Sequence, residues 1–292
     1  MARILLVGTA TLDLVFSLDH FPGADEEMRA QSLRMVRGGN AANTAVVLSR
    51  LGHEVEFLGT LADVPETAVI TNDFLRHGIG YGYCPRLPGK PPTSSIYLSG
   101  SSRSIVHYRN LPELSAESIR RMDMPRFDWV HFEGRNVDEV ERMMNFARQH
   151  KPGLFVSLEL EKPRDNIDAL YPLADVLICS RHFAQHVGHA DSQRFLAWMR
   201  QQAPQACIIA AWGEEGAYGL GPHDELCHAP AEPPDQVVDT LGAGDTFNAA
   251  VIDAALSKTS MPELLHAACR LAGEKCGQHG FDVKPALAQQ LN

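Results

Sequence analysis

Short apolar runs separated by stretches of helical periodicity recur from residue 55 onward, and they restrict the fold of this chain more than any other feature. Residues 55–58 precede a helical pattern over about 66–77, residues 129–132 one over 138–149, and residues 154–158 a shorter one near 167–173. Residues 176–179 precede two helical pieces reaching about residue 202, and residues 207–211 end at the turn Trp212-Gly213-Glu214-Glu215-Gly216. A strand that is apolar along its whole length needs cover on both faces, and helices in the connections supply it. The chain therefore reads as α/β, with a parallel sheet between helical layers. In such folds ligands bind outside the carboxyl ends of the strands. Polar residues collect there: Glu133, Arg135 and Asn136 after one run, Glu159, Glu161 and Lys162 after another, Arg181 and the 213–216 turn after two more. Each alone reads as a solvated loop charge; their shared place in the topology singles them out.

The first hundred residues depart from this pattern. Residues 3–8 form one more continuous apolar run, but residues 12–19 alternate strictly, Leu12, Leu14, Phe16 and Leu18 against Asp13, Val15, Ser17 and Asp19. That is a half-exposed strand. Residues 94–98 and 104–108 flank the polar turn Ser99-Gly100-Ser101-Ser102-Arg103, a hairpin signal. With the less regular residues 29–36 they read as a small sheet inserted into the larger one, formed by segments of about 12–36 and 93–109. Such a sheet must place its apolar face on the main body or on a second subunit.

Two glycine-bearing stretches carry chemistry. Residues 37–52 begin Arg37-Gly38-Gly39-Asn40-Ala41-Ala42-Asn43 and continue as an alanine-rich helix. Asn40 and Asn43, three apart, project from one face and offer amides to a polyhydroxyl ligand; the plainer alternative is a helix-capping Asn40. Near the other end, Asp239-Thr240-Leu241-Gly242-Ala243-Gly244-Asp245 opens a second helix. Its glycines leave backbone N–H groups uncovered at a positive helix end, which suits an anion such as a transferring phosphoryl group. Asp245 beside that site suits a base taking a proton from an attacking hydroxyl. The plainer alternative is an acidic residue interacting with its own helix N-terminus.

Composition narrows the classes. A net charge of −10 argues against general nucleic-acid or anionic-membrane binding. No apolar run reaches membrane-spanning length, the N-terminus lacks a signal-peptide core, and six scattered cysteines indicate neither zinc nor a disulfide framework. The expectation is a cytoplasmic protein. His182 and His186 are four apart but lack further ligands, so no metal site is expected.

The two glycine-bearing stretches, in this order and about 200 residues apart, resemble the paired signatures of the ribokinase-like (PfkB) carbohydrate kinase family. Within it, Phe132-Glu133-Gly134-Arg135-Asn136, Glu159-x-Glu161-Lys162-Pro163-Arg164, Ala211-Trp212-x-Glu214-Glu215-Gly216-Ala217 and Lys275-Cys276-Gly277-x-x-Gly280-Phe281-Asp282 are similar to the ketohexokinases, and the similarity spans nearly the whole chain. The resemblance implies one kinase domain over residues 1–292, a three-layer α/β/α sandwich with a mostly parallel sheet and a small β-sheet lid, and lids clasping two subunits into a homodimer. It implies phosphorylation of D-fructose by ATP at the 1-hydroxyl. Asp245 would be the base, Gly242, Ala243 and Gly244 the anion hole, and Arg103 a cation brought down by the lid. Asp13, Asp25, Gly39, Asn40, Asn43, Arg135 and Lys162 would face the sugar. Arg181, the turn Gly213-Glu214-Glu215-Gly216 and Cys276 would face the nucleotide. Magnesium would be held chiefly by ATP and water, and a potassium ion is allowed for. Cys179-Ser180-Arg181-His182-Phe183 stands where the family commonly has Asn-x-x-Glu. The segment His107-Tyr108-Arg109-Asn110 departs from the animal ketohexokinase pattern and bears on which sugar is taken. The alternatives are a kinase of the same family for another sugar (ribose, a sulfo- or deoxy-ketose) or a nucleoside, and a non-catalytic sensor of sugar or nucleotide on the same fold.

Overall fold

Ile4, Leu5, Leu6 and Val7 are all buried, and alternate residues enter different cores: Ile4 and Leu6 join one apolar cluster, Leu5 and Val7 the other. That is a strand covered on both faces. The computed structural model describes residues 1–100 and 102–282. In order, the first half comprises β1 (Arg3–Val7), β2 (Thr11–Ser17), β3 (Ser32–Gly38), α1 (Asn40–Arg50), β4 (Glu54–Leu58), β5 (Leu61–Ala62), α2 (Ala68–Arg76), β6 (Arg86–Leu87), β7 (Thr93–Ser99) and β8 (Ser102–Tyr108). β9 (Trp129–Glu133), α3 (Val137–His150), β10 (Phe155–Leu160), β11 (Val176–Ser180), α4 (Arg181–His186), α5 (Ser192–Gln202) and β12 (Cys207–Ala211) follow. β13 (Ala217–Leu220), β14 (Leu226–Ala229), α6 (Ala243–Leu256) and α7 (Met261–Cys276) complete the described chain.

The large sheet has the order β14-β13-β12-β11-β10-β9-β1-β4. Pairing is parallel from β12 to β4, and β13 and β14 add an antiparallel hairpin at one edge. Helices α3 and α5 pack in the cluster with Leu5 and Val7; α1, α2, α6 and α7 pack in the cluster with Ile4 and Leu6. The mostly parallel α/β sandwich read from the sequence is thus present. Residues 167–173 form a 3₁₀ helix with Pro172 inside it, not an α-helix, because proline lacks the amide that an α-helical turn needs. The short parallel pair β5 and β6 carries no sequence signal, being only two residues each.

The small sheet has the order β3-β2-β7-β8. β2 pairs antiparallel with β3 and parallel with β7, and β8 returns antiparallel on β7. Ser101, in the turn joining β7 to β8, lies outside the described residues. The alternation along β2 is real, but its burial differs from the simplest expectation. Val15, on the Asp13 face, is 2% exposed, whereas Leu14 and Phe16 are only half-buried. Asp13 and Val15 turn inward, toward α1 and α2. Leu14 and Phe16 turn outward, with Leu33 and Met35 opposite them on β3.

Candidate active site

Close approaches of two glycines shape the region around Asp13. Thr11 Oγ1 donates to Asp13 Oδ1 at 2.6 Å, and the Asp13 carboxyl lies so close to Gly38 that any Cβ there would overlap it. Gly39 is the N-cap of α1 with a φ of +96°, and a Cβ on it would overlap the Thr9 carbonyl oxygen. Glycine is therefore required for packing at both positions, besides leaving backbone open to a ligand. Gly39, not Asn40, caps the helix, so the capping explanation of Asn40 fails. The Asn40 amide donates instead to Glu159 Oε1 and Glu161 Oε2, each at 3.1 Å, at the end of β10.

Glu133, at the carboxyl end of β9, accepts the N–H groups of Thr9 at 3.0 Å and Ala41 at 2.6 Å. Its carboxylate so serves one orphan donor in the first turn of α1, Ala41, and ties it to the loop between β1 and β2. Burial raises the pKa of Glu133, opposed by Arg135 and these two N–H groups. Glu159, which also accepts from Asn248 at 3.0 Å, is pushed up further by burial and by the neighbouring Asp245, Glu133 and Glu161 carboxyls.

Asp245 stands in the first turn of α6, and it is buried. As an acidic residue in the first turn it does face the positive end of its own helix, as the plainer reading has it, but its side chain also has a partner outside that helix. Its Oδ2 accepts from Asn43 Nδ2 at 2.6 Å, and Thr44 Oγ1 donates to its carbonyl at 3.2 Å. The Asn43 amide is oriented from behind: its Oδ1 accepts from Arg37, whose Nε donates to Asp73 at 2.7 Å. Arg37 thus obliges Asn43 to present N–H, not C=O, to Asp245. Burial pushes the Asp245 pKa up to about 7; Asn43 and Arg37 oppose the shift, and Glu161 and Glu133 add to it. A carboxyl that titrates near neutrality is poised as a general base.

The turn before it leaves backbone N–H groups open, an arrangement that suits an anion. Gly242 has a φ of +81° and lies against the Phe281 ring, leaving no room for a side chain. The Ala243 N–H is spent on the Thr240 carbonyl at 3.3 Å, so Ala243 does not join the anion hole as expected. The N–H groups of Gly242, Gly244 and Asp245 have no partner among the described residues. From the small sheet, Arg103 reaches this turn and donates to Thr240 Oγ1 at 3.3 Å.

A cavity of about 540 Å³ between the small sheet and the strand ends joins these pieces. It is lined by Asp13, Gly39, Asn40, Asn43, Arg103, Arg135, Lys162, Gly242, Gly244 and Asp245. Asp25 does not line it; it is exposed in the loop after β2 with a φ of +58°. Nor does the other group line it. Arg181 pairs with Glu215 at 3.1 Å and lies over the Trp212 ring, beside the Gly213–Glu215 turn at the ends of β11 and β12. Gly216 has a φ of +91° and abuts the Ala229 carbonyl. Cys276 ends α7, and its carbonyl accepts the Val238 and Asp239 N–H groups. Glu214 is exposed. Among the described residues no three His, Cys, Asp or Glu side chains are grouped to hold a metal ion.

Reading the sequence alone misses Thr11, Arg37, Ser94 and Thr240, which position the groups it finds. None lies in a pattern of its own; only Arg37 and Thr240, each adjoining a glycine-bearing stretch, carry a positional hint. His107 also lines the cavity, its Nδ1 3.2 Å from Ser94 Oγ.

The model of the pfkB family of carbohydrate kinases matches residues 1–286. Mouse ketohexokinase is 38% identical over 291 residues, covering 96% of this chain and 98% of that protein. A Bacillus subtilis ribokinase is 26% identical, over 86% of this chain and 84% of its own length. Among solved structures, the ribokinase of Giardia lamblia superposes with a TM-score of 0.83 at 17% identity, over 96% and 95% of the two chains. An Arabidopsis thaliana ribokinase complexed with ribose and ATP gives 0.79 at 20%, over 96% and 94%; these two likenesses speak to the fold alone. The chain belongs to the pfkB family of carbohydrate kinases, is a relative of ketohexokinase, and is an ATP-dependent carbohydrate kinase.

Proposed function

We propose that this kinase phosphorylates a ketohexose, D-fructose at its 1-hydroxyl, giving D-fructose 1-phosphate. The observation that carries the reading is the single cavity lined by Asp13, Gly39, Asn40 and Asn43 on one side and by Asp245 with its anion-binding turn on the other. Kinship with mouse ketohexokinase over nearly the full length of both chains supports the choice of sugar.

Asp13, Asn40, Asn43 and the Gly39 backbone hold the sugar, a carboxylate accepting from two hydroxyls where an amide would do so less well. Arg135 and Lys162 border the same space. The Asp245 carboxylate takes the proton of the attacking hydroxyl. That oxygen bonds to the terminal phosphorus of ATP as the bond to the bridging oxygen breaks, and ADP leaves. The Gly242 and Gly244 N–H groups and Arg103 receive charge on the transferring oxygens. Magnesium would come with ATP, since among the described residues no side chains are grouped to hold it and the ion sheds water slowly; it would supply charge neutralisation. Arg181, the 213–216 turn and Cys276 form the nucleotide side. The whole chain acts as one kinase domain in the cytoplasm, with the small sheet as a lid and its outer face joined to a second copy. Among the described residues no helix is long and apolar enough to cross a membrane.

One observation favours a second acceptor. His107, Arg135 and Lys162 border one cavity, and Arg135, Arg109 and Lys162 help burial hold the His107 pKa down. A different sugar of this family, ribose or a sulfo- or deoxy-ketose, would meet that wall. A coupled assay of fructose, tagatose, ribose, psicose and adenosine with ATP decides between them: fructose is expected to be turned over with the highest kcat/KM, and selective turnover of ribose or adenosine would overturn the assignment.

A further inference from the structure

Behind the anion-binding turn sits a lysine with no solvent-accessible surface. Lys275, in the last turn of α7, donates from Nζ to the carbonyl oxygens of Asp239 at 2.8 Å and Gln278 at 3.3 Å. It lies 5.7 Å from the centre of the Phe281 ring. Lysine is almost never fully buried unless paired, because the ammonium gives up its hydration. Here carbonyl oxygens and an aromatic face replace the water.

Tying α7 to the 239–245 motif does not require this charge, since the Val238 and Asp239 N–H groups already donate to the Cys276 carbonyl at 2.8 and 3.1 Å. The ammonium adds a positive charge at the Asp239 peptide, where the motif begins. Asp239 passes that position on: its carboxyl accepts the Leu241 N–H at 2.9 Å, and the next carbonyl, of Thr240, accepts from Ala243. A second route runs through Phe281, whose ring abuts both Lys275 and Gly242. Carbonyl oxygens beside a carboxylate are also a donor set that suits a potassium ion. Here the chain's own ammonium occupies it, so the potassium ion allowed for above does not fit between these residues.

We propose that Lys275 is a built-in cation, a positioning residue that fixes the 239–244 turn for phosphate in place of a monovalent metal ion. The proposal rests on the kinase reading only in giving that turn to ATP.

The test compares turnover of D-fructose and calorimetric binding of Mg–ATP in potassium, ammonium, sodium and tetramethylammonium buffers for the wild type, Lys275→Met and Lys275→Ala. The wild type is expected to be indifferent to the ion. Lys275→Met, similar in length but uncharged, should lose about a hundredfold in kcat/KM for ATP, the scale of a misplaced reacting group. Lys275→Ala, which opens the space, should regain part of its loss with potassium or ammonium and none with tetramethylammonium. A wild type that requires potassium, a Lys275→Met as active as the wild type, or a folded Lys275→Ala that no ion restores would each overturn the proposal. Should neither variant fold, the wild-type ion series alone decides. If D-fructose proves not to be the acceptor, the ATP-binding series still tests Lys275 separately from the sugar assignment.

Discussion

Asp245 has a carboxyl that is both buried and bonded to Asn43, and the two facts have separable consequences. As a base it must be ionised, so kcat/KM should rise with pH through an inflection near 7 and level off above it; a profile flat between pH 5.5 and 8 would remove the assignment. For stability the sign is opposite. A folded pKa of about 7 against an ordinary value of 3.8 means the fold prefers the neutral acid. That contribution is fully present below the ordinary value and is lost as pH rises through about 7. Asp245→Asn keeps an oxygen for the Asn43 amide and removes the charge. It should bind ATP, lose turnover by about a hundredfold or more, and melt above the wild type at pH 8, the gap closing toward pH 5; an unchanged turnover or a lower melting point at pH 8 would count against the account. That Gly242 opens a helix with Asp245 in its first turn was legible from the glycine spacing. The Arg37-to-Asn43 relay was not, since nothing in a sequence pattern says which way an amide will be turned.

At the scale of elements, the lid connects the two halves of the site. β8 carries Arg103 to Thr240, so Arg103→Ala should lower kcat by about a hundredfold, as loss of one donor to a transferring group does, while circular dichroism melting stays unchanged; a wild-type rate would mean that this strand does not act on phosphate. Strict alternation identified β2 as a half-covered strand from sequence alone. It did not reveal that the Asp13 face is the inner one, because hydrophobicity assigns leucines inward whereas here the carboxylate lines the cavity. The main-sheet strands posed no such conflict, and their continuous apolar runs marked them plainly.

At the scale of the molecule, the lid leaves an apolar outer face. Leu33, Met35, Val106 and Tyr108 are each more than half exposed, and Phe16 and Tyr97 stack beside them at 5.5 Å. Covering such side chains contributes about 2 kcal/mol each, which favours a second copy of the lid as cover. Leu33→Asp with Val106→Asp should convert a dimer to a monomer by light scattering; an unaltered mass would place the contact elsewhere. The fold class was legible because period separates a parallel sheet from its helices, whereas the pattern that marks residues 104–108 as a strand does not say which acceptor the cavity beside His107 takes. The most direct measurement is therefore on the product: D-fructose and ATP incubated with the wild-type enzyme, followed by phosphorus and carbon NMR. The expected outcome is phosphorus coupled to C1, giving D-fructose 1-phosphate in step with ADP. Phosphorus on C6, or no sugar phosphate while ATP is turned over with another acceptor, would contradict the account.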